Sequence, residues 1–145
     1  MRNRESSALI HELAHALSRA ERSVVRQLAR ILDDEGVTVD QWRILQLLAD
    51  GRGHRMSELS EFAFLPAASL TRVVDRMVTD GLVHRRVDTL DRRRVLVHLT
   101  ARGRALSRRL AAVVAREQHA LLDGADPAET ERLLALLDGL ADRLR

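Results

Sequence analysis

The sequence predicts a mostly helical, α+β protein, and three observations carry that prediction. Leucine and alanine supply 25 and 19 of the 145 residues, against two prolines and seven glycines, and both are strong helix formers. Apolar residues recur at spacings of three and four along most of the chain, the period of a helix with one buried face. Only between residues 82 and 99 does the period change to two, the mark of β-strands. A chain of this length can bury its own core, so residues 1–145 are expected to form one domain.

The elements follow in order. Over 6–32, Leu9, Ile10, Leu13, Leu17, Ala20, Val24, Leu28 and Ile31 make a long amphipathic helix, roughly 40 Å from end to end. A small domain cannot cover that length, so part of the stripe is expected to meet another chain. Asp33, Asp34, Glu35 and Gly36 end it. Thr38-Val39-Asp40-Gln41 reads as a capping box that opens a helix filled by Trp42, Ile44, Leu45, Leu47 and Leu48 and closed by Gly51. A short helix is predicted over 57–64, with Leu59 and Phe62 inward, and Leu65-Pro66 breaks it. The next helix, 67–80, puts Leu70, Val73, Val74 and Met77 on one face, and Gly81 fits its C-terminal cap. Two short helices with a tight break between them form a helix-turn-helix. The alternating runs 82–87 and 95–99 read as a β-hairpin with a charged tip, and a hairpin directly after such a pair is a wing. From Ala101 the helical stripe returns as Leu106, Leu110, Val113, Val114 and Leu121, up to Gly124. Asp126-Pro127-Ala128-Glu129 opens a last helix, with Leu133, Leu137, Leu140 and Leu144 in its stripe and Leu134 and Leu136 flanking.

Composition excludes several functions. There is no cysteine, which removes a disulfide framework, a thiol nucleophile, Cys-ligated zinc and a cysteine-oxidation sensor. No run of 18 apolar residues exists to span a membrane. The first 17 residues lack the apolar core of a signal peptide, so the cytoplasm is the expected location. All 24 basic residues are arginine. Eleven of them fall between Arg72 and Arg109 against four acids, a local charge of +7, while the rest of the chain carries −4. That asymmetry suggests one face built for a polyanion, with nucleic acid the leading candidate.

One short motif points elsewhere. His11-Glu12-Leu13-Ala14-His15 matches HExxH, which on a helix can set two imidazoles on one zinc with the glutamate as base. The alternative function is therefore a zinc-dependent peptidase or a metal-responsive protein. A peptidase also needs a third ligand, and His54, His84, His98 and His119 lie in no ligand motif. Nor is there a G-x-S-x-G turn or a phosphate-cradling glycine loop. No catalytic residues, metal or cofactor are expected, and the chain is read as a non-enzyme.

The block from Leu65 to Gly103, LPAASLTRVVDRMVTDGLVHRRVDTLDRRRVLVHLTARG, resembles the MarR family of winged-helix transcription factors. The matching elements are the helix SLTRVVDRM, the boundary Asp80-Gly81-Leu82-Val83, the wing signature Asp91-Arg92-Arg93 and the closing Leu99-Thr100-Ala101-Arg102-Gly103. The likeness extends over essentially the whole chain. It implies a winged helix-turn-helix with N- and C-terminal dimerisation helices: a DNA-binding lobe at about 37–102, with 1–36 and 103–145 forming the dimer. It implies a homodimer on a pseudo-palindromic operator in double-stranded DNA, with half-sites about 10 bp apart. The expected activity is sequence-specific regulation of transcription, as a repressor released by a small ligand, with aromatic compounds the class the resemblance implies.

On that reading the polar side of the recognition helix, with Ala67, Ala68, Ser69, Thr71, Arg72 and Arg76, meets the major groove. Arg72 is placed to grip guanine and the small alanines to approach a thymine methyl. The resemblance puts Arg93 in the minor groove, with Asp91 holding the hairpin, and Arg86, Arg92 and Arg94 at phosphates. It also points to His15, Trp42 and Arg43 as effector-binding residues.

Overall fold

The computed structural model describes residues 2–121 and 124–144. Among these, six helices and one two-stranded antiparallel sheet follow the order α1 (Arg2–Asp33), α2 (Val39–Leu48), α3 (Met56–Ala63), α4 (Ala67–Thr79), β1 (Val83–Val87), β2 (Val95–Leu99), α5 (Ala101–Leu121) and α6 (Pro127–Arg143). The sequence suggests one domain; the chain divides into two compact units, Met1–Val114 and Ala115–Arg145, with the division inside α5.

The first unit holds the core. Only the end of α1 enters it: Leu32 is fully buried and Leu28 and Ile31 pack at its edge, whereas Leu9, Ile10, Leu13 and Val24 are exposed. Gly36, at φ 68°, turns the chain out of α1, and the Val37 amide bonds back to the Leu32 carbonyl at 3.1 Å. This left-handed cap buries Val37 beside Leu32 and lets the helix end despite its three acids. The capping box of α2 forms as expected. Thr38 Oγ1 accepts from the Gln41 amide at 3.2 Å, and Gln41 Oε1 accepts from the Thr38 amide at 3.0 Å. Trp42, Ile44, Leu45 and Leu48 are buried along that helix.

The short helix α3 corrects two expectations. It runs from Met56 to Ala63, and its buried pair is Leu59 and Ala63. Phe62, expected inside, is exposed, because the stripe of so short a helix is set by residues four apart. Phe64 leaves the helix in the left-handed region, at φ 56° and ψ 39°. A bulky residue there costs roughly 1–2 kcal/mol. Two contacts offset part of it: the Leu65 amide bonds to Ser60 O at 3.1 Å, and the Arg43 guanidinium sits 5.6 Å from the Phe64 ring.

Past α4, Gly81 at φ 69° and a bond of 2.9 Å from the Leu82 amide to Met77 O repeat the left-handed cap. The hairpin then pairs Val83 with Leu99, Arg85 with Val97 and Val87 with Val95. Val83, Val97 and Leu99 face the core. His54 adds a single-residue bridge to Val97 through bonds of 3.0 and 2.8 Å. A one-residue bridge has no periodicity, so the sequence gives no sign of it.

The chain ties itself together where the wing meets α5. Thr100 Oγ1 donates toward Gly81 O (2.6 Å) and Leu82 O (3.2 Å), and accepts from the Gly103 amide at 3.0 Å. Gly103 packs so closely that a Cβ there would run into the Leu82 carbonyl. In the second unit, Asp126 caps α6 by accepting from the Ala128 amide at 3.0 Å. None of the described α6 residues is buried: Leu133, Leu134 and Leu136 are exposed, as is Leu144 at its C-cap. The side chain of Leu121, expected in the α5 stripe, lies outside the described residues.

Alanine for a helical glycine ordinarily stabilises by up to about 1 kcal/mol. Gly103→Ala is expected to reverse that sign, destabilising by about 1–3 kcal/mol through overpacking against backbone. Gly139→Ala should follow the rule, since its nearest neighbour is the tip of Arg143 at 3.8 Å. Urea unfolding of both variants checks this, and equal effects would contradict it.

Candidate nucleic-acid interface

The N-terminus of α4 is open. Pro66 stands at the cap position and no side chain bonds into the first turn, which leaves the amides of Ala67, Ala68 and Ser69 without helix partners. Ala67, Ala68, Thr71, Arg72 and Arg76 are exposed and Ser69 is half-buried. Leu70, Val74 and Met77 hold the opposite face in the core. Thr71 Oγ1 bonds back to Ala67 O at 2.9 Å. Arg76 is paired with Asp80 at 3.1 Å, and Arg85 of β1 with Asp75 of α4 at 2.5 Å. The second pair links the wing to the helix beside it.

At the wing tip Asp91 is the organising group. Its Oδ1 accepts from the Arg93 amide at 3.1 Å, its Oδ2 lies 3.2 Å from Arg94 Nε, and its carbonyl accepts from the Arg94 amide at 2.9 Å. Two of the three neighbouring guanidinium groups, those of Arg93 and Arg94, are therefore partly neutralised by one carboxylate. The Arg93 side chain remains 93% exposed, however, and its contact with Asp91 is long, 3.4 Å, so the pair contributes little. Among the described residues Arg72, Arg86 and Arg92 have no acidic partner within 4 Å. The exposed face of α4 and the wing thus share uncompensated positive charge.

A histidine cluster at the wing root is absent from the expected site. His54 sits between two carboxylates, with Nε2 2.7 Å from Asp50 and Nδ1 3.2 Å from Glu58. His98 stacks on His84, with ring centroids 5.6 Å apart, and its ring lies against the Gly53 backbone. Burial, then the positive charges of His84, Arg86 and His54, holds the His98 imidazole below the usual histidine value. Desolvation works to raise the Asp50 carboxyl, but the Arg52 amide and the His54 ring outweigh it and leave the group lowered. The Arg55 amide, against desolvation and helped by His54, lowers Glu58. His54 and His98 are far apart in sequence and follow no motif; only the glycine beside His54 hints at a close approach.

The residues carried over for an effector do not converge. Trp42 is a core residue, 4% exposed. Arg43 is half-buried and reaches Ala63 O at 3.4 Å. His15 lines a separate groove of about 270 Å³ with Ser18, Arg19, Arg22 and Arg26. A larger cavity, about 550 Å³, lies among the α1–α2 turn, the end of α4 and α5. It is lined by Val37, Leu82 and Leu106 and by Glu35, Arg102 and Arg109, and Arg109 is paired with Glu35 at 2.9 Å. Among the described residues no three His, Asp or Glu side chains are grouped to hold a metal ion, so His11 and His15 find no third ligand there.

A helix-turn-helix with an open, arginine-bearing second helix, followed by an arginine-tipped hairpin, defines a winged-helix DNA-binding protein. The sequence profile of the MarR family matches residues 35–94. A putative transcriptional regulatory protein for the hcr operon of Thauera aromatica is 31% identical over 144 residues, which cover 95% of this chain and 87% of that protein. The chain belongs to the MarR family; it is a transcriptional regulator, not an enzyme. Two solved structures are close in fold. NadR in complex with 4-hydroxyphenylacetate has a TM-score of 0.78 and 30% identity, covering 89% of this chain and 92% of that one. A cysteine-to-serine mutant of MarR from E. coli, complexed with operator DNA, has a TM-score of 0.79 and 26% identity, covering 90% and 94%.

The lowered groups give a pH dependence of one sign. A folded-state value below the unfolded one means that the unfolded chain binds more protons, so stability falls with acidification. For His98 the contribution is full above about 6.5 and is lost as pH falls through the lowered folded value; for Asp50 and Glu58 the loss comes further into acid. His98→Gln is expected to flatten the part of the curve just below pH 6.5. Urea midpoints measured across that range test it, and identical curves for variant and wild type would contradict it.

Proposed function

We propose that this chain binds double-stranded DNA as a homodimer on a pseudo-palindromic operator, represses transcription there, and is released by a small aromatic acid. The observation that carries the DNA reading is the shared, uncompensated positive charge of α4 and the wing, with Arg72 on the groove-facing side of an open helix N-terminus. In this reading residues 37–102 form the reading lobe, while 1–36 and 103–145 supply the dimer. A second copy covers the exposed Leu9, Ile10 and Leu13 of α1 and the exposed leucines of α6. Ala67, Ala68, Ser69, Thr71, Arg72 and Arg76 face the major groove. Arg93 enters the minor groove, held by Asp91, and Arg86, Arg92 and Arg94 meet phosphates.

The effector is proposed from the likeness to NadR, whose structure holds 4-hydroxyphenylacetate. The 550 Å³ cavity has room for such an acid. It offers apolar walls and Arg102, which has no acidic partner among the described residues. Its lining includes Thr79 and Asp80 at the end of α4, so an occupant there touches the recognition helix. His15, Trp42 and Arg43, which the resemblance points to, lie outside this cavity: His15 lines the separate groove on α1, Arg43 reaches Ala63 O, and Trp42 is in the core. No helix among the described residues is long and apolar enough to cross a membrane, and a cytoplasmic site of action belongs to the same proposal.

Selection of bound duplexes from a random pool tests the reading, with half-sites expected about 10 bp apart. Arg72→Ala should then weaken operator binding by about 1–3 kcal/mol and relax preference at one position in each half-site. Equal losses on operator and random DNA would make Arg72 a phosphate contact instead.

A further inference from the structure

The wing carries apolar surface that the charge argument leaves unexplained. Half of the exposed large apolar side chains among the described residues lie on α1 and α6, the helices read as the dimer. Three of the others cluster on the hairpin: Val87 at 53% exposure, Val95 at 45% and Leu90 at 95%. Val87 and Val95 are directly opposed in the ladder. They share the face of Val83, Val97 and Leu99, since strand residues two apart point the same way. Along β2 the apolar face therefore continues through Val97 and Val95 past the end of the core and out along the wing, while on β1 Arg85, paired with Asp75, stands between Val83 and Val87.

Leu90 stands in the tip loop beyond the Val87–Val95 pair, in a fixed setting. Its amide bonds to Asp88 Oδ1 at 3.0 Å, and the Asp88 amide closes the tip on Arg94 O at 2.9 Å. The next residue, Asp91, holds Arg93 and Arg94. A leucine is thus presented to solvent almost whole, next to arginines that seek a polyanion. A duplex groove offers both partners at once: phosphates along its rims, and the apolar carbons of the sugars on its walls. Proteins that enter the minor groove commonly pair arginine with an apolar wedge.

We propose that Leu90 is a DNA-contacting residue that packs on the sugar wall of the minor groove beside Arg93. This rests on the DNA-binding reading above. It makes the wing a mixed contact, part electrostatic and part apolar, and the two parts differ in their response to salt. A guanidinium at a phosphate releases counterions and steepens the salt dependence, whereas a leucine on a sugar releases none.

The test is operator affinity across a salt series for wild type, Leu90→Ala, Arg92→Ala and Arg93→Ala, using the full chain and a duplex recovered by selection. Leu90→Ala should weaken binding about tenfold at every salt concentration, with an unchanged slope and an unchanged melting temperature. Arg92→Ala should reduce the slope by about one. Leu90→Ala binding indistinguishably from wild type, while Arg93→Ala binds more weakly, overturns this proposal and leaves the DNA reading standing. A wild-type protein that prefers no selected duplex over random DNA removes the DNA reading itself. A Leu90→Ala effect confined to self-association in sedimentation assigns the patch to a second copy and also overturns the proposal.

Discussion

The recognition helix and the wing can act together only if the short stretch between them is stiff, and the Thr100 hydroxyl supplies the link. It bonds to the carbonyls of Gly81 and Leu82 on one side and takes the Gly103 amide on the other. The end of α4, the root of β1, the end of β2 and the start of α5 therefore meet within one side chain's reach. Gly103 has no Cβ because the Leu82 carbonyl occupies that space. The His54 bridge to Val97 and the Arg85–Asp75 pair brace the same hairpin from two other sides. Each brace is modest alone, about 1 kcal/mol for a neutral hydrogen bond. Together they fix the geometry that a groove demands.

That rigid head contrasts with the long helices. The stripe of α1 is buried only at its last turns, and α6 buries nothing among its described residues. Apolar surface of this kind is costly in water. In the proposed homodimer a second copy covers this surface and turns the cost into association energy. The 550 Å³ cavity is bordered by both the end of α4 and the start of α5.

Much of the head was legible in the sequence because its local rules agree. The Thr38–Gln41 box, the left-handed glycines 36 and 81, and the switch of period at residue 82 all dictate backbone locally, and all appear where expected. Asp91 as the anchor of the wing came from the family resemblance, and its bond to the Arg93 amide is ordinary turn chemistry for a short acidic side chain. The misses have a common cause: they depend on what lies across space. Phe62 faces out because Ala63 fills the inward position, and Phe64 adopts a left-handed backbone that sequence rules reserve for glycine or asparagine. The His54 bridge and the His84–His98 stack join residues more than ten positions apart. The residues that the resemblance carried over for an effector, His15, Trp42 and Arg43, do not share a cavity, and Trp42 lies in the core.

The central claim is that α4 and the wing read DNA as one piece because the Thr100 hydroxyl joins them. Thr100→Val keeps the shape and removes the hydroxyl. The deciding measurement is the ratio of operator to random-duplex affinity for this variant, taken at a temperature where circular dichroism shows it fully folded. A coupled head predicts that the ratio falls while random-duplex affinity, carried by the arginines, holds. An unchanged ratio would mean that helix and wing bind independently, and would contradict the claim.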